Sequence, residues 1–241
     1  MLAPKQIPNE LLYQYTLFGL IPVLNWYFSD KSSLPLIYET NDIVQYIQKV
    51  KKRECGVYGK TDAYLYCALE KYSIKHKRVA IIGSESVIYE SICLAYGGEP
   101  TTIDYNKRIS NHPDLKTMTV KEYERNPVKF DMAISISSIE HDGLGRYGDT
   151  LNPNGDIIAM HKLKDMIKLG GIVFLAVPIG LDMLVWNAHR IYGKLRFPLL
   201  IGGWNFIDSF GFDITQFNQN NPTAQNPKKN LWQPVFVLQN F

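Results

Sequence analysis

The sequence predicts an α/β fold, a largely parallel sheet with helices packed on its faces. Three observations carry that reading. Short, continuously apolar, β-branched runs recur at residues 78–83 (RVAIIG), 130–139 (FDMAISISSI) and 172–177 (IVFLAV), as in strands buried on both faces. The segments between them place apolar residues at helical spacing. The last two apolar runs, 212–217 and 234–238, have only the polar turn 218–230 between them, so an antiparallel pair at the sheet edge is expected.

At 241 residues the chain suits one domain with an extension. Residues 1–59 are expected to form a mostly helical extension and 60–241 the α/β domain. Residues 15–24 (YTLFGLIPVL) have the length of a signal h-region but fall short of the roughly 20 residues that span a bilayer. The flanks argue against a signal or anchor: Lys5 faces Glu10, Pro22 interrupts the run, and no small-residue cleavage site precedes Trp26 and Tyr27. A helix packed on the domain is expected instead. Gly59-Lys60-Thr61 has the look of a phosphate loop, but that motif needs a glycine where Glu54 stands. Residues 62–72 (DAYLYCALEKY) read as an amphipathic helix capped by Thr61 or Asp62.

With 46% hydrophobic and 20% charged residues the chain can bury a full core. Its net charge is +3 and its basic residues form no long block, which gives nucleic-acid binding no support. Cys55, Cys67 and Cys93 lack CxxC spacing and read as small buried hydrophobes in a reducing compartment, the cytoplasm. A structural zinc site is not expected.

The strand 78–83 leads into a helical spacing over 84–96 that stops at Gly97-Gly98, and a second strand follows at 100–104. From Val79 to Asp104 is the span of one βαβ unit, roughly 30 residues. Asp104, at the tip of that second strand, stands where an acid can accept hydrogen bonds from a ribose diol, or where it merely caps a turn. The turn GSESV keeps Gly83 but has Glu85 and Val87 where a dinucleotide fold wants glycines. A carboxylate at the helix N-terminus repels a pyrophosphate: like charges about 4 Å apart cost roughly 4 kcal/mol at an effective dielectric of 20. NAD and FAD are thereby disfavoured, whereas S-adenosylmethionine, with an ammonium, a sulfonium and no phosphate, is not.

Residues 140–149 (EHDGLGRYGD) form the densest polar cluster of the chain. The literal GxGxxG at 143–148 is rejected as a fingerprint, because more loop follows where a helix should open. Its glycines read as turn residues that let backbone fold over a ligand. The next helix starts near Asn152 or Asn154, with Pro153 in its first turn, and runs to Gly170-Gly171. Residues 180–203 read as loop-rich. His141, at the carboxyl end of a central strand, is the first candidate general base, against the alternative of a histidine that merely bridges loop backbones. His189 with Arg190 is the second. Asp142, Arg146, Tyr147 and Asp149 are placed to grip a polar acceptor, or an Arg and Asp so close pair with each other. Tyr147, Trp186 and Tyr192 would wall the cleft, Trp186 being the one best suited to a core. A metal held by His141, Asp142 and Asp149 lacks ligand spacing, and none is expected.

In this order the elements resemble the class I S-adenosylmethionine-dependent methyltransferases, whose sheet has seven strands with the last antiparallel. VAIIGSESV (79–87) is similar to their first motif, with Gly83 matching, and TTIDYN (101–106) to the strand that ends in the ribose-binding acid, at Asp104. FDMAISISSIEH (130–141) is similar to a fourth strand ending in a Leu-Glu-His run, matched by Glu140 and His141. MHKLKDMIKLGGIVFLAVP (160–178) resembles the helix, Gly-Gly turn and fifth strand, and Gly211-Phe212 the start of the sixth. The stretch SSxEHxGLGRYGDxxNPxGD further resembles a domain-of-unknown-function family (268) within the superfamily, which names no substrate.

The resemblance implies a three-layer Rossmann-like sheet of about seven strands and S-adenosylmethionine as cofactor, held by Gly83, Glu85, Asp104, Ser137 and Ser138. It further implies His141 and His189 as catalytic groups, with Asp142, Arg146, Tyr147, Asp149 and Arg190 toward a small polar or glycan-like acceptor. Two alternatives stand beside this. The eroded GSESV turn suits a non-catalytic member kept as an interaction module, and an NAD-dependent sugar oxidoreductase shares the sheet but is opposed by Glu85. Neither nucleic acid nor membrane is expected as a partner, and the oligomeric state is left open.

Overall fold

A computed structural model describes residues 3–28, 35–224 and 232–241. The chain opens with α1 (Asn9–Tyr15), β1 (Val23–Trp26), β2 (Leu36–Tyr38) and α2 (Thr40–Lys51). It continues through α3 (Lys60–Lys71), β3 (Arg78–Ile82), α4 (Ile88–Ala95), β4 (Glu99–Asp104), β5 (Arg108–Ser110), β6 (Lys116–Thr119), α5 (Val120–Arg125) and β7 (Phe130–Ile136). The last part holds α6 (Gly155–Met166), β8 (Ile167–Ala176), β9 (Met183–Asn187), β10 (His189–Ile191), α7 (Phe197–Leu200), β11 (Asn205–Phe210) and β12 (Val235–Gln239).

Seven strands form the main sheet in the order β11-β12-β8-β7-β3-β4-β6. Neighbours from β8 through β6 run parallel, and β12 lies antiparallel between β8 and β11. The two-residue period of a strand sorts the apolar runs into two layers. Val79, Ile81, Ile134, Ile136, Phe174 and Ala176 face Leu65 and Leu69 of α3 and Ile88 and Ile92 of α4. Ala80, Ala133, Val173 and Leu175 face Met160, Leu163 and Met166 of α6 and Phe197 and Leu200 of α7. That is why runs buried on both sides show no polar alternation.

Beside the main sheet, β1, β9 and β10 make a small sheet and β2 pairs with β5, so the described residues of 1–59 contribute two strands as well as two helices. The apolar run 15–24, expected as one helix, is divided. Left-handed backbone at Leu17 and Phe18 ends α1, and the remainder extends into β1, parallel to β9. Gly59, rather than Thr61 or Asp62, occupies the cap position of α3.

Three further elements depart from the sequence reading. α6 stops at Met166, and Gly170-Gly171 lie inside β8. Ile167 is fully buried opposite Phe130 and Ile172 pairs with Met132, so the register shifts there and the glycines lie in the irregular stretch of β8 between Ile167 and Ile172. A side chain at Gly171 would come within 2.5 Å of the Asp131 carbonyl. Residues 180–203 hold β9, β10 and α7 where loop was expected. The strand expected at 212–217 is β11, at Asn205–Phe210, still antiparallel to β12. Gly211 turns the chain with φ +78°, and Asp213 then caps the 3₁₀ turn Ile214–Asn218. Of the cysteines expected buried, Cys93 is, but Cys55 and Cys67 are exposed free thiols. Among the described residues no helix is long and apolar enough to cross a membrane.

Candidate active site

A cavity of about 730 Å³ opens at the carboxyl ends of β3, β4, β7 and β8. This is where an open parallel sheet binds ligands: β4 and β7 leave β3 on opposite sides, so the loops that follow diverge and leave a crevice. Its walls come from the turn after β3 (Gly83, Ser84, Glu85), the tip of β4 (Asp104, Tyr105, Asn106, Arg108) and the loop after β7 (Ser137 to Asp142, Arg146, Tyr147). Pro178, His189 and Tyr58 close it.

The turn after β3 is fixed from several sides. Gly83 takes φ +60° and donates to the Ile103 carbonyl, while a side chain there would collide with the Ser138 hydroxyl. The Tyr38 hydroxyl donates to the Ser84 carbonyl at 2.6 Å. Beneath the turn the buried Glu90 carboxylate accepts from the Ser84 and Thr102 hydroxyls at 3.0 and 2.7 Å. Desolvation raises the Glu90 carboxyl to about 7 against those hydrogen bonds.

Asp104 accepts from the Asn106 backbone N–H at 2.7 Å with Oδ1 and from Arg108 at 3.0 Å with Oδ2. Each oxygen keeps a second lone pair for a ligand. Arg108 went unnoticed in the sequence, since an Asp and an Arg four apart signal a pair on a helix, whereas here the chain is turning into β5.

At the tip of β7, Ser137 sits in left-handed backbone at φ +53°. Its hydroxyl donates to Glu140 Oε1 at 2.7 Å and accepts from Gln233 at 3.0 Å. The 3₁₀ turn Ile139–His141 then buries Glu140 and places His141 on the wall. His141 Nδ1 lies 2.6 Å from the Ala188 carbonyl, and the His189 ring stands edge-on to it at 6.3 Å. Burial first, then Arg146 and His189, holds His141 well below the usual histidine range. Burial and then Arg146 lower His189 to about 3. Desolvation drives Glu140 up to about 7 and Asp142 well above the carboxylate range. The titrating group of this wall near neutral pH is therefore an acid, and both histidines are neutral.

Gly83, Glu85, Asp104, Ser137, Ser138, His141, Asp142, Arg146, Tyr147 and His189 all line this one cavity. Arg146 donates to the Ala188 carbonyl at 3.2 Å and stacks over Phe28 and Tyr147. Asp149 and Arg190, expected to touch the acceptor, lie outside the lining. The Asp149 carboxylate staples the loop, accepting from the backbone N–H groups of Gly143 and Gly145 at 2.8 and 3.0 Å. Arg190 is buried, donating to the carbonyls of Glu140 and Asp142 at 3.3 and 2.7 Å. Trp186 and Tyr192, expected in the cleft walls, are buried too; the Tyr192 hydroxyl donates to Asp156 at 3.0 Å. Tyr58 is a wall the sequence reading missed, for its neighbours Gly59-Lys60-Thr61 had been considered and set aside as a phosphate loop. Among the described residues no cluster of His, Cys, Asp and Glu is arranged to hold a metal ion.

The fold is that of the class I S-adenosylmethionine-dependent methyltransferases. The chain superposes with a TM-score of 0.53 on the 1,6-didemethyltoxoflavin-N1-methyltransferase of Burkholderia thailandensis, solved with bound 1,6-didemethyltoxoflavin and S-adenosylhomocysteine. Identity is 15%, over 83% of this chain and 86% of that one. The N-methyltransferase NodS of Bradyrhizobium japonicum WM9, in complex with S-adenosylhomocysteine, matches at 0.46 and 9% identity over 75% and 85% of the two chains. No curated protein matches in sequence. A family profile does match, over residues 76–241 and with it all of the main sheet, so the chain belongs to the family described as Caenorhabditis protein of unknown function, DUF268.

Proposed function

We propose that this chain is an S-adenosylmethionine-dependent methyltransferase acting on a small polar acceptor, a glycan hydroxyl among the candidates, in the cytoplasm. The observation that carries the reading is the cavity at the sheet's switch point, whose size falls in the roughly 300–1,000 Å³ range of small-ligand sites. Its lining suits a cation that brings no phosphate. Glu85, Asp104, Glu124 and Asp165 line it against Arg108, Arg146 and Lys162, and Glu85 stands ahead of α4. In this reading Asp104 holds the ribose, Gly83, Glu85, Ser137 and Ser138 complete the cofactor pocket, and 60–241 is the site-bearing domain to which 1–59 is an extension.

When bound, the cofactor supplies a methyl group already activated by its sulfonium. The protein's part is alignment and exclusion of water. Asp142, Arg146 and Tyr147 orient the acceptor, and His141 and His189, both neutral, offer nitrogen atoms on the same wall. A base in reach of the acceptor's proton is worth roughly 10² to 10⁴ fold.

Titration calorimetry with S-adenosylhomocysteine tests the reading. Saturable heat with a thermal shift is expected, and Asp104→Ala should lose about 1.5–3 kcal/mol of binding free energy. No heat and no shift at millimolar ligand would overturn it. The eroded GSESV turn, with Glu85 and Val87 where glycines are expected, favours a second reading, a module that has kept the fold and lost the chemistry. Binding of the cofactor with no methyl transfer across amine, phenol and sugar acceptors would select it.

A further inference from the structure

Glu140 is the most deeply placed acid of the cavity wall, with a side chain 1% exposed. Oε1 accepts from Ser137, whereas Oε2, fully buried, has no hydrogen-bond partner among the described residues. Leaving a carboxylate oxygen buried and unsatisfied is costly, and the cost falls if the carboxyl carries a proton.

The neighbouring imidazole has the complementary need. The Ala188 carbonyl can only accept, so the Nδ1 that lies 2.6 Å from it carries hydrogen. In the neutral ring Nε2 is then a bare lone pair, and it lies 3.7 Å from Glu140 Oε1. The two acceptors stand 3.7 Å apart, beyond hydrogen-bond length, so a shared proton has to draw them together.

From this geometry, and resting on the methyltransferase reading, we propose that Glu140 and His141 share a single proton and form a built-in proton acceptor in the cavity wall. When the acceptor's lone pair bonds to the methyl carbon, the carbon–sulfur pair returns to sulfur and the acceptor's X–H pair stays on X. The released proton passes to His141 Nε2 and on to Glu140. No oxidant or further reactant is required. The pair differs from a lone histidine base because the imidazolium, disfavoured by burial, need not persist.

The groups that face the pair set its range. Arg146 and Arg190 lower both members, Asp142 and His189 stand beside them, and Tyr58 and Tyr192 approach from the other sides, the Tyr192 hydroxyl being given to Asp156. Desolvation outweighs the two arginines at Glu140, which titrates near 7, and at His141 it works in the same direction as the arginines.

The test needs neither cofactor nor acceptor, so it stands or falls separately from the methyltransferase reading. The full chain, labelled with ¹⁵N-histidine and ¹³C-glutamate, is titrated from pH 9 to 5 by nuclear magnetic resonance. His141 should show hydrogen on Nδ1 and a bare Nε2 at high pH. One proton should then be taken up with a midpoint near 7, reported together by Glu140 Cδ and His141 Nε2. Glu140→Gln should abolish that uptake and leave His141 neutral down to pH 5. A Glu140 carboxylate that stays ionised until the ordinary glutamate range, or hydrogen on Nε2 with Nδ1 bare, would overturn the proposal. If the variant fails to fold, the wild-type titration alone decides.

Discussion

Arg196 grips Asp156 with two of its nitrogens, Nε at 2.9 Å from Oδ2 and a terminal nitrogen at 2.6 Å from Oδ1, and both side chains are buried. Asp156 stands in the first turn of α6, and Arg196 reaches it from the residue before α7, also donating to the Pro153 carbonyl at 2.6 Å. The pair therefore ties the helix behind the cavity loop to the segment that follows β10.

Breaking this tie should be expensive. Asp156→Ala leaves Arg196 and Arg190 charged and buried, and removal of one partner of such a pair costs about 3–5 kcal/mol. Urea unfolding checks it; a loss below about 1 kcal/mol would mean that water replaces the carboxylate. Burial alone would raise the Asp156 carboxyl, but Arg190 and Arg196 hold it below its ordinary value. A depressed acid stabilises the fold above its unfolded pKa, and that contribution is lost as pH falls through the folded value. The advantage of wild type over Asp156→Asn should thus shrink only below about pH 4.

Gly83→Ala should destabilise for two separable reasons. Left-handed backbone costs an L-residue about 1–2 kcal/mol, and the new methyl meets the Ser138 hydroxyl. Gly83→Ala with Ser138→Gly should recover the steric share and keep the backbone share. Thermal denaturation of the two variants separates them, and full recovery in the double variant would show that φ contributes nothing.

Glu90 gives the fold a pH dependence of the opposite sign to that of Asp156. Its carboxyl is raised to about 7, so the folded state binds the extra proton. The resulting stabilisation is present in full below the unfolded value near 4.5 and lost as pH rises through about 7. Compared with Glu90→Gln, wild type should gain stability steadily from pH 8 to pH 5. A difference that does not change with pH would place the charge in water. Comparison with the variant matters because His141 and His189, both depressed, act oppositely below about 6.5.

Removal of residues 1–28 should loosen the cavity loop while the main sheet survives. β1 pairs with β9, the Tyr15 hydroxyl donates to the Gly143 carbonyl, and Trp186 Nε1 donates to the Pro4 carbonyl at 3.1 Å. Faster amide exchange across 143–152 and 183–187 with a red-shifted Trp186 emission is the expected result. Unchanged exchange would make the segment dispensable to the site.

The central strands were legible because burial on both faces leaves an unbroken apolar signature, as in RVAIIG and IVFLAV. Elements at the margin of the sheet were less so. β11 was sought at 212–217 because that stretch is apolar, yet Asp213 and Gln216 carry the spacing of a capping box and mark a turn. α6 was extended to Gly170-Gly171 by helical spacing, and tertiary pairing of Ile167 with Phe130 ended it sooner. In the site, residues at strand tips were found by position alone. Arg190 and Asp149 were assigned to the ligand because polar side chains near a strand tip suggest recognition, but the loop consumed them to satisfy its own backbone. The pairing of Asp156 with Arg196 crosses 40 residues and has no periodicity from which it could be read.

Tyr38 and Tyr58 both come from chain that precedes residue 76, where the family profile begins, yet one fixes the turn after β3 and the other walls the cavity. Part of the rim is thus encoded outside the stretch that carries the sheet. A change at Tyr58 alters the cavity wall from outside the stretch that carries the seven-stranded sheet, and a graft of residues 36–58 from a relative would vary that wall while every strand of the main sheet keeps its own sequence.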